Sequence, residues 1–126
     1  MATILVVDDE AMMLKLCFQI LRRGQHEVFQ AAAGPEALQL LRERPVDLAL
    51  LDVMMPQMNG ITLAGCIQRM YPKTKVLLMT GYRQSEIEQI AGKENPYRII
   101  WKPFKAESLL RMIENVLGES EAVVST

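Results

Sequence analysis

The chain of 126 residues is 50% hydrophobic and 23% charged, with 14 Lys and Arg against 15 Asp and Glu for a formal charge of −1. That length suits one self-folding domain, which at this size removes roughly two thirds of its extended-chain surface from water, and the composition excludes wholesale disorder, collagen-like repeats and coiled coil. The near-zero charge excludes the positive field of a dedicated nucleic-acid binder, and no apolar run approaches the ~18 residues of a bilayer span, so a cytoplasmic protein with no membrane contact is expected.

Ile4 to Val7 is a β-branched and leucine-rich run that reads as a strand buried on both faces and stops at Asp8. Asp8, Asp9 and Glu10 also fall where a secretory signal needs an uninterrupted apolar stretch. From Glu10 to Arg23, Met13, Leu14, Cys17, Phe18 and Leu21 recur at three and four residues, and Gly24 supplies the stop. This predicts an amphipathic helix with Met12 and Met13 in its packing and one of them near a pocket rim. A weaker strand spans His26 to Ala31. Gly34 and Pro35 then open a second helix with Ala37, Leu38, Leu40 and Leu41 inward, which ends by Pro45. Val46 to Leu51 gives another buried strand, and it too ends in acid, at Asp52.

Pro56 and Gly60 bracket a turn before a third helix carrying Ile61, Ala64 and Ile67 toward the breaker Pro72. Lys75 to Met79 is the fourth strand, with Met79 in the core, closed by Thr80 and Gly81. A helix from Ser85 to Ala91 follows, with Ile87 and Ile90 inward, and then a fifth strand from Tyr97 to Trp101. The last helix, Ala106 to Leu117, turns Leu109, Leu110, Ile113, Val116 and Leu117 inward before Gly118. Residues 1–118 form the domain, and 119–126 read as a flexible tail or the start of a linker. Cys17 and Cys66 both sit in helical apolar patterns and read as small buried hydrophobes.

Five short apolar strands alternating with helices specify an α/β fold, a doubly wound parallel sheet covered on both faces. Asp8, Asp9, Asp52, Thr80 and Lys102 each stand at the carboxyl end of a strand, and in a parallel sheet those ends share the edge at which ligands bind. Singly, each has an ordinary explanation: Asp8 and Asp9 can cap a helix, Asp52 can start a turn, and Lys102 can be a surface residue. Together they put three carboxylates and one ammonium in a restricted space. That deficit of positive charge suits a hard divalent cation such as Mg²⁺. His26 lies at the opposite end of its strand and is assigned to packing or surface.

The strand end Val6-Val7-Asp8-Asp9, Asp52 with Met55-Pro56 and Gly60, the pair Thr80-Gly81, and Lys102-Pro103-Phe104 resemble the motifs of response regulator receiver domains of two-component signalling. The resemblance runs from Ile4 to Leu117 and implies a flavodoxin-like sheet of order 2-1-3-4-5 in a three-layer sandwich. It implies that Asp52 accepts a phosphoryl group from a phosphohistidine on a sensor kinase or phosphotransfer protein. By the same resemblance Asp9 ligates Mg²⁺ directly, Asp8 mainly through water, and Asp52 and the Met54 carbonyl complete the ligands. Thr80 and Lys102 contact the phosphoryl oxygens, Lys102-Pro103 is a cis peptide, and the protein is no enzyme beyond its own phosphorylation and dephosphorylation.

The implied output is a switched surface for an unknown downstream protein, with a phosphorylation-dependent homodimer as one form of it. The family's switch pairs Thr80 with an aromatic three residues before the lysine, but Ile99 stands there, flanked on its strand face by Tyr97 and Trp101. Two other functions fit parts of the pattern: a scaffold that takes no phosphoryl group, and a small Mg²⁺-dependent aspartyl phosphohydrolase.

Overall fold

In the computed structural model, residues 1–92 and 95–119 are described. The strands are β1 (Thr3–Val7), β2 (Glu27–Ala31), β3 (Leu48–Asp52), β4 (Lys75–Thr80) and β5 (Arg98–Trp101). They pair in parallel in the order β2-β1-β3-β4-β5. Between and after them run α1 (Ala11–Arg23), α2 (Gly34–Glu43), α3 (Gly60–Met70), α4 (Gln84–Ala91) and α5 (Ala106–Gly118). The alternation expected from the apolar runs is observed, as is the strand order implied by the resemblance.

The pleat explains why these strands are apolar throughout. Ile4 and Val6, Leu48 and Leu50, and Leu77 and Met79 pack with Cys17, Leu21, Leu109 and Ile113 under α1 and α5. Their neighbours Leu5 and Val7, Ala49 and Leu51, and Leu78 pack with Ala37, Leu41, Leu63, Ile67 and Ile87 under α2, α3 and α4. All five residues of β3 are buried, because that strand is central and covered on both faces.

Several sequence-based expectations are corrected. Ile90 is 44% exposed, since the short α4 seats only Ile87 among its expected inward pair on the sheet. Met12 is 81% exposed on the outer face of α1, whereas Met13 is half-buried against the core. Neither methionine lines the cavity at the strand ends. Cys17 is fully buried as expected, and burial pushes its thiol up to about 12, but Cys66 is only half-buried. Ile20 and Leu63 are core residues that periodicity alone did not single out.

His26 has the expected packing role. It is buried, and its Nδ1 accepts the Ala2 N–H at 3.1 Å. Burial and the nearby terminal ammonium outweigh Glu114 and hold its imidazole below the ordinary pKa. Of the expected tail, Glu119 is described and pairs with Arg98, while 120–126 lie outside the described residues. No helix among the described residues is long and apolar enough to cross a membrane.

Candidate functional site

Three strands deliver acids and a hydroxyl to one edge because each stops where its apolar run stops. Asp8 follows β1, and its N–H continues the ladder by donating to the Ala31 carbonyl at 3.1 Å. Its side chain is fully buried: one oxygen accepts the Glu10 N–H at 2.9 Å, the other accepts Lys102 Nζ at 3.2 Å. Asp52 closes β3, 5% exposed, its Oδ1 accepting Lys102 Nζ at 3.3 Å and the Met54 N–H at 3.4 Å. Thr80 closes β4 and is buried, with its Oγ1 accepting the Tyr82 N–H at 3.0 Å. Lys102 follows β5, its N–H donating to the Thr80 carbonyl at 2.7 Å, and the Lys102-Pro103 peptide is cis as expected.

The two adjacent acids are used differently. Side chains alternate along extended chain, so Asp8 turns under the edge while Asp9 is exposed at its rim. Carboxylate oxygens of Asp8, Asp9 and Asp52 nevertheless lie within 4.8 Å of one another. Asp9 and Asp52 border a cavity of about 760 Å³ whose wall also includes Met54, Thr80, Tyr82 and Lys102, while Asp8 lies buried behind it. Glu10, Met55 and Pro56 also line it, and sequence reasoning had assigned them no role there. The Asp8-Asp9-Glu10 run was the available signal for Glu10.

The loop between β3 and α3 is drawn tight against Asp52. Asn59 caps α3 by accepting the Thr62 N–H at 2.8 Å, and Gly60 N–H donates to the Val53 carbonyl at 3.0 Å. A Cβ on Gly60 would lie 2.2 Å from the Asp52 carbonyl oxygen, so only glycine permits this approach.

Burial, then the like charge of Asp8, pushes the Asp52 carboxyl up from 3.8 to about 6, against the opposing pull of Lys102 and the Met54 N–H. Burial alone lowers an ammonium's pKa, but Asp52 and Asp8 outweigh it and hold Lys102 above its ordinary value. One ammonium therefore leaves three carboxylates under-compensated. A set of hard oxygen donors with a surplus of negative charge fits a hard divalent cation such as Mg²⁺.

The switch positions fall on β5. Ile99 is half-buried and packs with Tyr97 against the cluster under α2 to α4. Trp101, opposite Thr80 in the β4–β5 register, is 38% exposed.

The response regulator receiver domain family model matches residues 4–114. Response regulator receiver protein CpdR of Brucella abortus is 28% identical over 117 residues, which cover 93% of this chain and 98% of CpdR. Transcriptional regulatory protein ZraR of Escherichia coli O157:H7 is 33% identical over 120 residues, 95% of this chain. The chain spans only 27% of ZraR, and 13% of sensor kinase CckA of Brucella abortus. Among solved structures, chemotaxis protein CheY4 of Vibrio cholerae superimposes with a TM-score of 0.83 at 30% identity, covering 92% of this chain and 98% of CheY4.

Proposed function

The chain belongs to the response regulator receiver domain family of two-component signalling, and from that premise we propose that Asp52 is its phosphoryl acceptor. The observation that supports this most directly is Lys102 Nζ, held 3.2 Å from Asp8 and 3.3 Å from Asp52 beside an open cavity. A carboxylate oxygen is a weak nucleophile, so acceptance depends on alignment and on charge placed where it develops.

In the proposed reaction an Asp52 oxygen forms the new O–P bond as the N–P bond of a donor phosphohistidine breaks. The electron pair of that bond stays on the imidazole nitrogen of the partner kinase or phosphotransfer protein. Lys102 neutralises charge on the phosphoryl oxygens, and Thr80 donates its hydroxyl proton to one of them. Asp9, Asp52 and the Met54 carbonyl would hold Mg²⁺ directly. Asp8, both of whose oxygens already accept hydrogen bonds, would act through water. When bound, the ion supplies Lewis-acid charge to the phosphoryl oxygens and relieves repulsion among the carboxylates.

The added phosphate charge at the sheet edge then switches a surface for a downstream protein or a second copy. Family membership gives the phosphohydrolase reading no support, and the grouping of Asp8, Asp52, Thr80 and Lys102 counts against an inert scaffold.

Incubation with Mg²⁺ and a small acyl-phosphate donor is expected to add one phosphoryl group, mapped by peptide mass to Asp52 and absent from Asp52→Asn. A phosphoryl gain that persists in the Asn variant rejects the assignment.

Met54, 61% exposed, and Tyr82 border the route by which water reaches an acyl phosphate on Asp52. Replacing both with serine is expected to speed loss of the phosphoryl group severalfold in desalted protein supplied with Mg²⁺. An unchanged decay rate removes any shielding role.

A further inference from the structure

Ile99 occupies the β5 position that precedes Lys102 by three residues, and no ring on β5 touches the Thr80 hydroxyl among the described hydrogen bonds. The contact comes instead from the segment after β4. Tyr82 donates its N–H to Thr80 Oγ1 at 3.0 Å, lines the Asp52 cavity, and is half-buried against the cluster that holds Ile99 and Ile87. Neither neighbour buries a side chain in the core. Gly81 and Arg83 are exposed, and a Cβ on Gly81 would meet nothing within 4 Å. Two residues beyond Tyr82 α4 begins, with Arg83 N–H donating to Glu86 Oε1 at 2.8 Å to cap it.

The Tyr82 N–H engages the accepting side of the Thr80 hydroxyl, and none of the described residues accepts its proton. That proton remains for an oxygen in the cavity. We propose that Tyr82 is the positioning residue for Thr80. Its ring, packed against the cluster to which Ile87 of α4 belongs, holds the N–H that orients the hydroxyl, and the same ring passes any turn of that hydroxyl toward α4. The proposal rests on the reading of Asp52 as acceptor, and it moves the aromatic partner of Thr80 from β5 to the loop after β4.

Trp101 is the sole tryptophan and the register partner of Thr80, so its fluorescence reports on this corner. Beryllofluoride, a phosphoryl mimic, would be titrated with Mg²⁺ into wild type, Tyr82→Ala, Tyr82→Phe, Thr80→Ala and the Tyr82→Ala/Thr80→Ala double variant. Tyr82→Ala is expected to weaken the response about tenfold, as for a hydrogen bond to a charged group lost from good geometry. Tyr82→Phe restores it, and Tyr82→Ala adds nothing once Thr80 is alanine.

Equal weakening in both backgrounds assigns Tyr82 to packing alone and overturns the proposal, as does wild-type affinity in Tyr82→Ala. A wild-type chain with no saturable Mg²⁺-dependent response removes the acceptor reading, and this proposal with it. Tyr82→Gln repeats the cycle if Tyr82→Ala lacks a cooperative thermal transition.

Discussion

Asp52→Asn is expected to unfold at a higher temperature than wild type in metal-free buffer near neutral pH. Burial and the charge of Asp8 raise the Asp52 carboxyl from 3.8 to about 6, so the folded chain holds that proton more tightly than the unfolded chain does. Stability from this group is therefore greatest below the unfolded value. It falls as pH rises between the two and stays low above about 6. The full penalty at neutral pH is up to about 3 kcal/mol, roughly 10 °C in melting temperature for a domain of this size. Asparagine cannot ionise and escapes it, while Lys102 keeps Asp8 as a partner. Thermal melts in a chelator are expected to show the variant ahead near neutral pH and level with wild type near pH 4. Saturating Mg²⁺ stabilises wild type selectively and narrows the gap. A variant less stable than wild type at neutral pH contradicts the charge balance described for the site.

Gly60→Ala is expected to have the opposite effect and a larger one. The new Cβ would meet the Asp52 carbonyl oxygen at 2.2 Å, its carbon at 2.8 Å and Val53 Cα at 3.0 Å, all of them backbone atoms that no rotamer change can clear. Either the end of β3 or the start of α3 has to move, which strains the Gly60 to Val53 hydrogen bond as well. Overpacking together with a damaged buried hydrogen bond costs about 3 kcal/mol or more, read as a lower denaturant midpoint. Molecules that still fold carry Asp52 on a displaced backbone, so phosphoryl acceptance falls further than stability alone accounts for. Gly81→Ala is the control. Its Cβ enters open space, and its stability should stay within about 0.5 kcal/mol of wild type.

The fold was legible because a parallel sheet buries its strands on both faces, leaving runs such as Leu48 to Leu51 with no polar alternation to confuse. The helices were read less well where they are short or lie at the rim. Ile87 and Ile90 stand three apart, and on an eight-residue helix either spacing or exposure fits the pattern until the sheet selects one side. Site membership was legible for the same reason as the strands, since Asp8, Asp52, Thr80 and Lys102 mark where apolar runs stop. The division of labour between Asp8 and Asp9 was not, because it depends on which of two alternating side chains turns under the edge. Nor does sequence alone reveal the approach of Gly60 to Asp52, or the bond from Tyr82 to Thr80, both of which arise from how a loop folds back.

The buried acids of the site stand at the ends of β1 and β3, inside the sheet, whereas their counter-charge follows β5, a rim strand only four residues long. Lys102 is thus a latch thrown from the least supported strand onto the most supported pair. Peeling β5 away would leave the buried carboxylates of Asp8 and Asp52 without their ammonium, so electrostatics resists fraying of this edge strand. A protein that grips the rim from outside gains leverage over the charge balance at Asp52 without ever entering the cavity.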